Sequence, residues 1–97
     1  MFKVEKIKRV NKIFKSLGNE RRLKILSLLL SEGPMTVSDI AEKINLSFKS
    51  TSKHIIILDR ADFVSGKQSG PSRIYDIDAG VNDLLIFFFK KFTWIFK

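Results

Sequence analysis

The chain predicts a mainly α domain carrying one small β-hairpin, in the order α-α-α-α-β-β-α. Three observations carry that expectation. Apolar residues recur at helical spacing through residues 1–17, 37–61 and 79–96. Between the last two stretches, Ser69-Gly-Pro-Ser72 divides residues 64–78 into two short strand-prone runs. Finally, 97 residues with 5 Gly and 2 Pro leave room for a single core and little loop.

The first helix, within residues 1–17, places Ile7, Val10, Phe14 and Leu17 on one stripe, with Val4 and Ile13 beside it. A second helix follows around Leu23, Ile25 and Leu26. The third is short: Val37, Ile40, Ala41 and Ile44 stand at i, i+3, i+4 and i+7. Asn45 then sits where the chain must turn sharply, because Asn tolerates the left-handed backbone better than most side chains. Ser47 can cap the fourth helix by accepting from its free N–H groups. That helix turns Thr51, Ile55 and Leu58 inward, flanked by Ile57 and Ala61. Its other side presents Lys49, Ser52, Lys53, Ile56 and Arg60. In the hairpin, Ile74 and Ile77 flank Tyr75, and the tip carries Lys67, Gln68, Ser69, Ser72 and Arg73.

Residues 37–61 therefore read as a helix-turn-helix, and the hairpin at 64–78 reads as its wing. A helix backed by apolar residues and faced with short polar and basic ones suits the DNA major groove. The same face, taken alone, is also what any solvated amphipathic helix shows. The order helix, turn, helix, hairpin favours the first reading. The expected base-reading residues are Phe48, Lys49, Ser50, Ser52 and Lys53, since the first turns of such a helix reach base edges. Lys67, Gln68, Ser69 and Arg73 of the wing are donors for phosphate or the minor groove.

From Phe14 to Asp78, about two-thirds of the chain, the sequence resembles the ArsR-type (arsenic-repressor-like) winged-helix regulators. Phe14-Lys-Ser-Leu-Gly-Asn-Glu-Arg-Arg-Leu-Lys-Ile-Leu26 is similar to the family's helix leading into the DNA-binding unit. Val37-Ser-Asp-Ile-Ala41 matches the opening of its supporting helix. Leu46-Ser-Phe-Lys-Ser-Thr-Ser-Lys-His54 matches the recognition-helix pattern. The resemblance implies a homodimeric, DNA-binding transcriptional regulator, usually a repressor, and the absence of Cys fits an expected cytoplasmic location. It also implies metal sensing in many relatives, through a Cys-x-Cys pair on the supporting helix or Asp and His on the last helix. This chain departs there. It has no Cys, the matching segment reads Pro34-Met-Thr-Val-Ser-Asp39, and its last helix offers Asp83 without His. A thiolate metal site and thiol redox sensing are chemically impossible within it, and no metal or other cofactor is expected. Asn45 and Asp62 stand where relatives usually have Gly, the latter a source of mild strain.

The terminal helices carry the expectation of a dimer. Besides the first-helix stripe, Val81, Leu84, Leu85, Phe88, Phe92 and Ile95 form a second one, while Ile86, Phe87, Phe89, Trp94 and Phe96 fall outside it. A helix apolar nearly all round must be covered on more than one face. The expected partner is a second copy, with Ile7, Val10, Phe14, Leu84, Leu85, Phe88, Phe92 and Ile95 packing across a two-fold axis. Two recognition helices would then stand about 34 Å apart, matching a near-palindromic operator.

The net charge of +8 favours a polyanionic partner, but it is unevenly placed. Residues 1–24 hold nine Lys or Arg against two Glu, whereas residues 47–78 hold five against four Asp. The excess on the first helices is either a solvated face or an attraction for the phosphate backbone. Two other readings stay open. The C-terminal run from Leu84 to Phe96 fits an interfacial membrane helix, although Lys90 and Lys91 interrupt any span. Phe48 and Ile56 on the exposed face would suit a protein-interaction module. A small apolar effector in the aromatic last helix is a further partner to test. An enzyme is not expected: there is one His, no phosphate-cradling Gly-rich loop and no clustered carboxylate pair. The one His, His54, is expected half-buried on the recognition helix's inward flank, satisfying a neighbour rather than acting as a sensor.

Overall fold

The computed structural model describes residues 1–95, with side chains described through Thr93. Five helices and three strands follow one another as α1 (Val4–Leu17), α2 (Glu20–Glu32), β1 (Met35–Thr36), α3 (Val37–Ile44), α4 (Phe48–Arg60), β2 (Val64–Ser69), β3 (Ser72–Ile77) and α5 (Asn82–Ile95). The expected winged helix-turn-helix is present, with one addition. Met35 and Thr36 pair antiparallel with Tyr75 and Ile74, so the hairpin is part of a three-stranded sheet in the order β1-β3-β2.

Local chemistry sets the boundaries. The Asn19 side chain accepts from the Arg22 N–H at 3.1 Å and opens α2. Gly33, at φ 81°, ends it in a conformation few L side chains adopt. Thr36 caps α3 by accepting from the Asp39 N–H at 3.2 Å, and Ser47 caps α4 by accepting from the Ser50 N–H at 3.1 Å. Both α3 and α4 close with the same paired hydrogen bonds. The Leu46 N–H reaches the Ala41 carbonyl and the Asn45 N–H the Glu42 carbonyl; the Phe63 N–H reaches Leu58 and the Asp62 N–H reaches Asp59. This is the Schellman arrangement, and it places Asn45 (φ 54°) and Asp62 (φ 63°) in the left-handed region. The hairpin turns on two residues, with Gly70 at φ 60° followed by Pro71. Positive φ at the first position is the type II′ requirement.

The core gathers Ile25, Leu26 and Leu29 of α2, Ile40 of α3, Ile55 and Leu58 of α4, and Phe63, Val64, Tyr75 and Ile77 at the base of the wing. Leu85 joins it from α5 and is 2 % exposed. This corrects the expected dimer face of α5. Val81, Leu85 and Phe89, spaced by four, are the side chains packed toward the monomer's own core, so Leu85 is not available to a partner. Phe88 is half-buried, and Leu84, Phe87 and Phe92 are exposed. The Ile95 side chain, also assigned to that face, lies outside the described residues, as do the Trp94 side chain and Phe96.

Candidate nucleic-acid interface

Helix α4 is held from behind by Thr51, Ile55 and Leu58, each at most 1 % exposed. With those three side chains fixed inward, the opposite face is oriented outward by helical geometry alone. Phe48, Lys49 and Lys53 are exposed, and Ser50 and Ser52 are partly so. Farther along the same side, Ile56 and Arg60 continue the exposed strip. The helix thus offers apolar, hydroxyl and ammonium groups in its first turns, the types that meet a thymine methyl, a base edge and a guanine acceptor.

Strand β2 packs beside α4 and carries Lys67, Gln68 and Ser69 outward along the wing. Gln68 spans the turn, its Nε2 donating to the Gly70 carbonyl at 3.0 Å. Arg73 is exposed, but its guanidinium turns back toward the hairpin. Nε donates to the Tyr75 hydroxyl at 3.2 Å, Nη2 donates to the Gly66 carbonyl at 3.3 Å, and the charge lies 5.6 Å from the Tyr75 ring centre. Gly66 permits this, because a Cβ there would stand 2.6 Å from Arg73 Nε. The acidic Asp76 and Asp78 sit at the base of the wing, where they accept from the backbone N–H groups of Ile77 and Gly80.

The structure also shows an anchor that the sequence did not reveal. Arg22 of α2 donates from Nε to the Ser16 carbonyl at 2.5 Å and from Nη2 to the Lys15 carbonyl at 3.4 Å. Its Nη1 meets His54 Nδ1 at 3.2 Å. A guanidinium has no lone pair to offer, so His54 must accept through an unprotonated Nδ1 and carry its proton on Nε2. Burial holds the His54 pKa below its ordinary 6.5, and the charges of Arg22 and Arg21 lower it further. One residue thus ties the end of α1 to the middle of the recognition helix.

These features have counterparts in known proteins. Residues 19–65 match the model of the bacterial regulatory protein, arsR family. The transcriptional repressor SdpR of Bacillus subtilis (strain 168) is 39 % identical over 72 residues, 74 % of this chain and 79 % of that protein. The chain belongs to the ArsR family. The arsenical resistance operon repressor of the same bacterium is 31 % identical over 84 residues, covering 86 % of this chain and 80 % of the repressor. Among solved structures, the homodimeric winged helix-turn-helix DNA-binding domain Mb0332 from Mycobacterium bovis superposes with a TM-score of 0.77 at 28 % identity, covering 82 % of this chain and 74 % of that one. ArsR proteins are DNA-binding regulators and not enzymes. Asn45 and Asp62 of this ArsR chain stand at left-handed positions, and both keep the Schellman bonds.

Proposed function

We propose that this chain is a homodimeric, sequence-specific transcriptional repressor that acts by occupying a near-palindromic operator. The observation that carries the reading is the division of exposed surface. Helix α4 shows hydroxyl and basic groups, whereas α1 and α5 show apolar ones. Ile7, Val10 and Phe14 are each half-exposed, and so are Leu84 and Phe92. Between the two helices runs an open apolar groove of about 490 Å³, lined by Phe14, Leu17, Leu23, Phe88, Phe89 and Phe92. A second copy seated along these faces would bury the exposed side chains and set the two recognition helices about 34 Å apart.

In such a dimer Lys49, Ser50, Ser52 and Lys53 approach the major groove, with Phe48 against a thymine methyl. Lys67, Gln68 and Ser69 reach the adjoining backbone or minor groove. Arg73 joins them after exchanging its contacts to Gly66 and Tyr75 for a phosphate. Occupancy blocks polymerase in the cytoplasm, and release does not run through a cysteine metal sensor, since the chain has no Cys. Among the described residues no helix is long and apolar enough to cross a membrane, which leaves α5 to a protein partner or a surface.

The test is a salt-dependent titration of the protein on the DNA upstream of its own gene against a scrambled duplex, with mass by light scattering. Dimer mass and at least a thousandfold preference for one sequence support the reading. Equal, strongly salt-sensitive binding to both duplexes overturns it and leaves charge alone as the cause.

A further inference from the structure

The uneven charge of the sequence converges on one place in the fold. Where the second half of α1 faces the C-terminal half of α4, a cavity of about 430 Å³ is lined by Arg9, Lys12, Lys15, Arg22 and Arg60, with Asp62 at its edge. Five cations therefore border one space against a single carboxylate. That carboxylate is already engaged, loosely, by Arg9 at 3.9 Å, with both side chains largely in solvent. Among the described residues, Lys12, Lys15, Arg22 and Arg60 form no ion pair. Arg22 is the most telling. It is partly buried, and it is held by two carbonyls and an imidazole, none of which cancels its charge. Charges of one sign around one open cleft sum to a local positive potential that draws an anion.

We propose that this cavity is a phosphate-binding site, built to take the anionic oxygens of a phosphate group. Guanidinium and ammonium groups converging from two helices suit such a group, with Arg offering paired donors and Lys a movable point charge. Two sources supply that chemistry. One is a backbone phosphate of DNA, since Arg60 lies on the same helix side as Ile56, Lys53 and Lys49, one, two and three turns beyond them. The other is a free phosphorylated small molecule. Either occupant would bridge α1, which bears the apolar face, to α4, which bears the reading face.

The probe is inorganic pyrophosphate, titrated into the whole protein at constant ionic strength and followed by amide NMR. Saturable shifts at Ser16, Ile57 and Ala61 are expected, weakened at least tenfold in the Lys12→Gln/Arg60→Gln double variant. The charge-conserving Lys12→Arg/Arg60→Lys variant should keep them, which separates lost charge from lost fold. Shifts that never saturate, that sodium chloride reproduces, or that persist in the neutral variant overturn the site. The source is then read from DNA binding, an arm that rests on the DNA-binding proposal while the pyrophosphate arm does not. If the occupant is a DNA phosphate, the neutral variant lowers the salt slope by about one. If it is a free phosphoryl compound, the slope is unchanged and wild-type saturation remains.

Discussion

The helix-turn-helix with its wing and the pair of flanking helices solve the same problem in opposite ways. Between Val37 and Ile77 the chain buries its own apolar residues: Ile40, Ile55, Leu58, Phe63, Val64, Tyr75 and Ile77 are all interior, leaving Phe48, Ile56 and Ile57 as the large apolar side chains outside. Helices α1 and α5 leave Val4, Ile7, Val10, Phe14, Leu84, Phe87 and Phe92 exposed. Even the aromatic rings of α5 stack largely on each other, Phe88 against Phe92 at 5.6 Å between centres. The first region is complete as a monomer. The second leaves apolar side chains uncovered, and in the proposed dimer folding and assembly would draw on separate sets of side chains.

That division can be broken most forcefully within α5 itself. Leu85→Ala removes a core side chain and should lower unfolding stability by about 2–5 kcal/mol in urea melts. Phe14→Ala should leave the monomer's far-ultraviolet spectrum intact while shifting the mass toward monomer in light scattering. Should Leu85→Ala cost nothing while Phe14→Ala unfolds the chain, the assignment of core and interface is reversed. On the reading side, Lys53→Ala should cost about 1–3 kcal/mol of DNA affinity, unequally across operator variants. A uniform loss with a smaller salt slope would make Lys53 a phosphate contact instead.

A smaller effect sharpens the picture of the recognition helix from inside. The Thr51 hydroxyl is fully buried and has no hydrogen-bond partner among the described residues. Thr51→Val keeps the shape, removes the unpartnered group, and should raise stability by about 1 kcal/mol without changing DNA affinity. The last expectation concerns pH. The folded protein holds the His54 pKa below 6.5 through burial and the charges of Arg22 and Arg21. The unfolded chain therefore takes up the proton first as pH falls. The stability tied to neutral His54 is complete above pH 6.5 and drains away below it, toward the lowered folded value. His54→Gln should remove that portion of the acid sensitivity in melts across this range, and an unchanged pH profile would count against it.

Much of this architecture was legible in the residues. The stripe Val37, Ile40, Ala41, Ile44 and the capping hydroxyl of Ser47 locate two helices, and Ser69-Gly-Pro-Ser72 locates the turn of the wing. The inward set Thr51, Ile55 and Leu58 follows from period alone. What was not legible depends on distance along the chain. Strand β1 is two residues long, too short for an alternating pattern, and exists because β3 offers it an edge. Helix α5 is apolar on every side, so spacing could not decide between Leu84 and Leu85 as the buried residue; packing against α2 decided it. The partner of His54 lies 32 residues upstream, and the cationic cavity needs α1 and α4 side by side. Asp62 was legible as a departure from Gly, and its positive φ follows from the Schellman close of α4.

Strand β1 has a further consequence, in the order of folding events. Most neighbours in this chain are close in sequence, as in any helical protein, and form early at small entropic cost. The Met35–Tyr75 and Thr36–Ile74 pairs are different, because they close a loop containing the entire helix-turn-helix. Loop closure of that length is expected to follow the settling of α3 and α4, and Thr36 also caps α3. The two-residue strand is therefore a latch closed late, and its amides should exchange with solvent in step with global opening rather than with fraying of the wing.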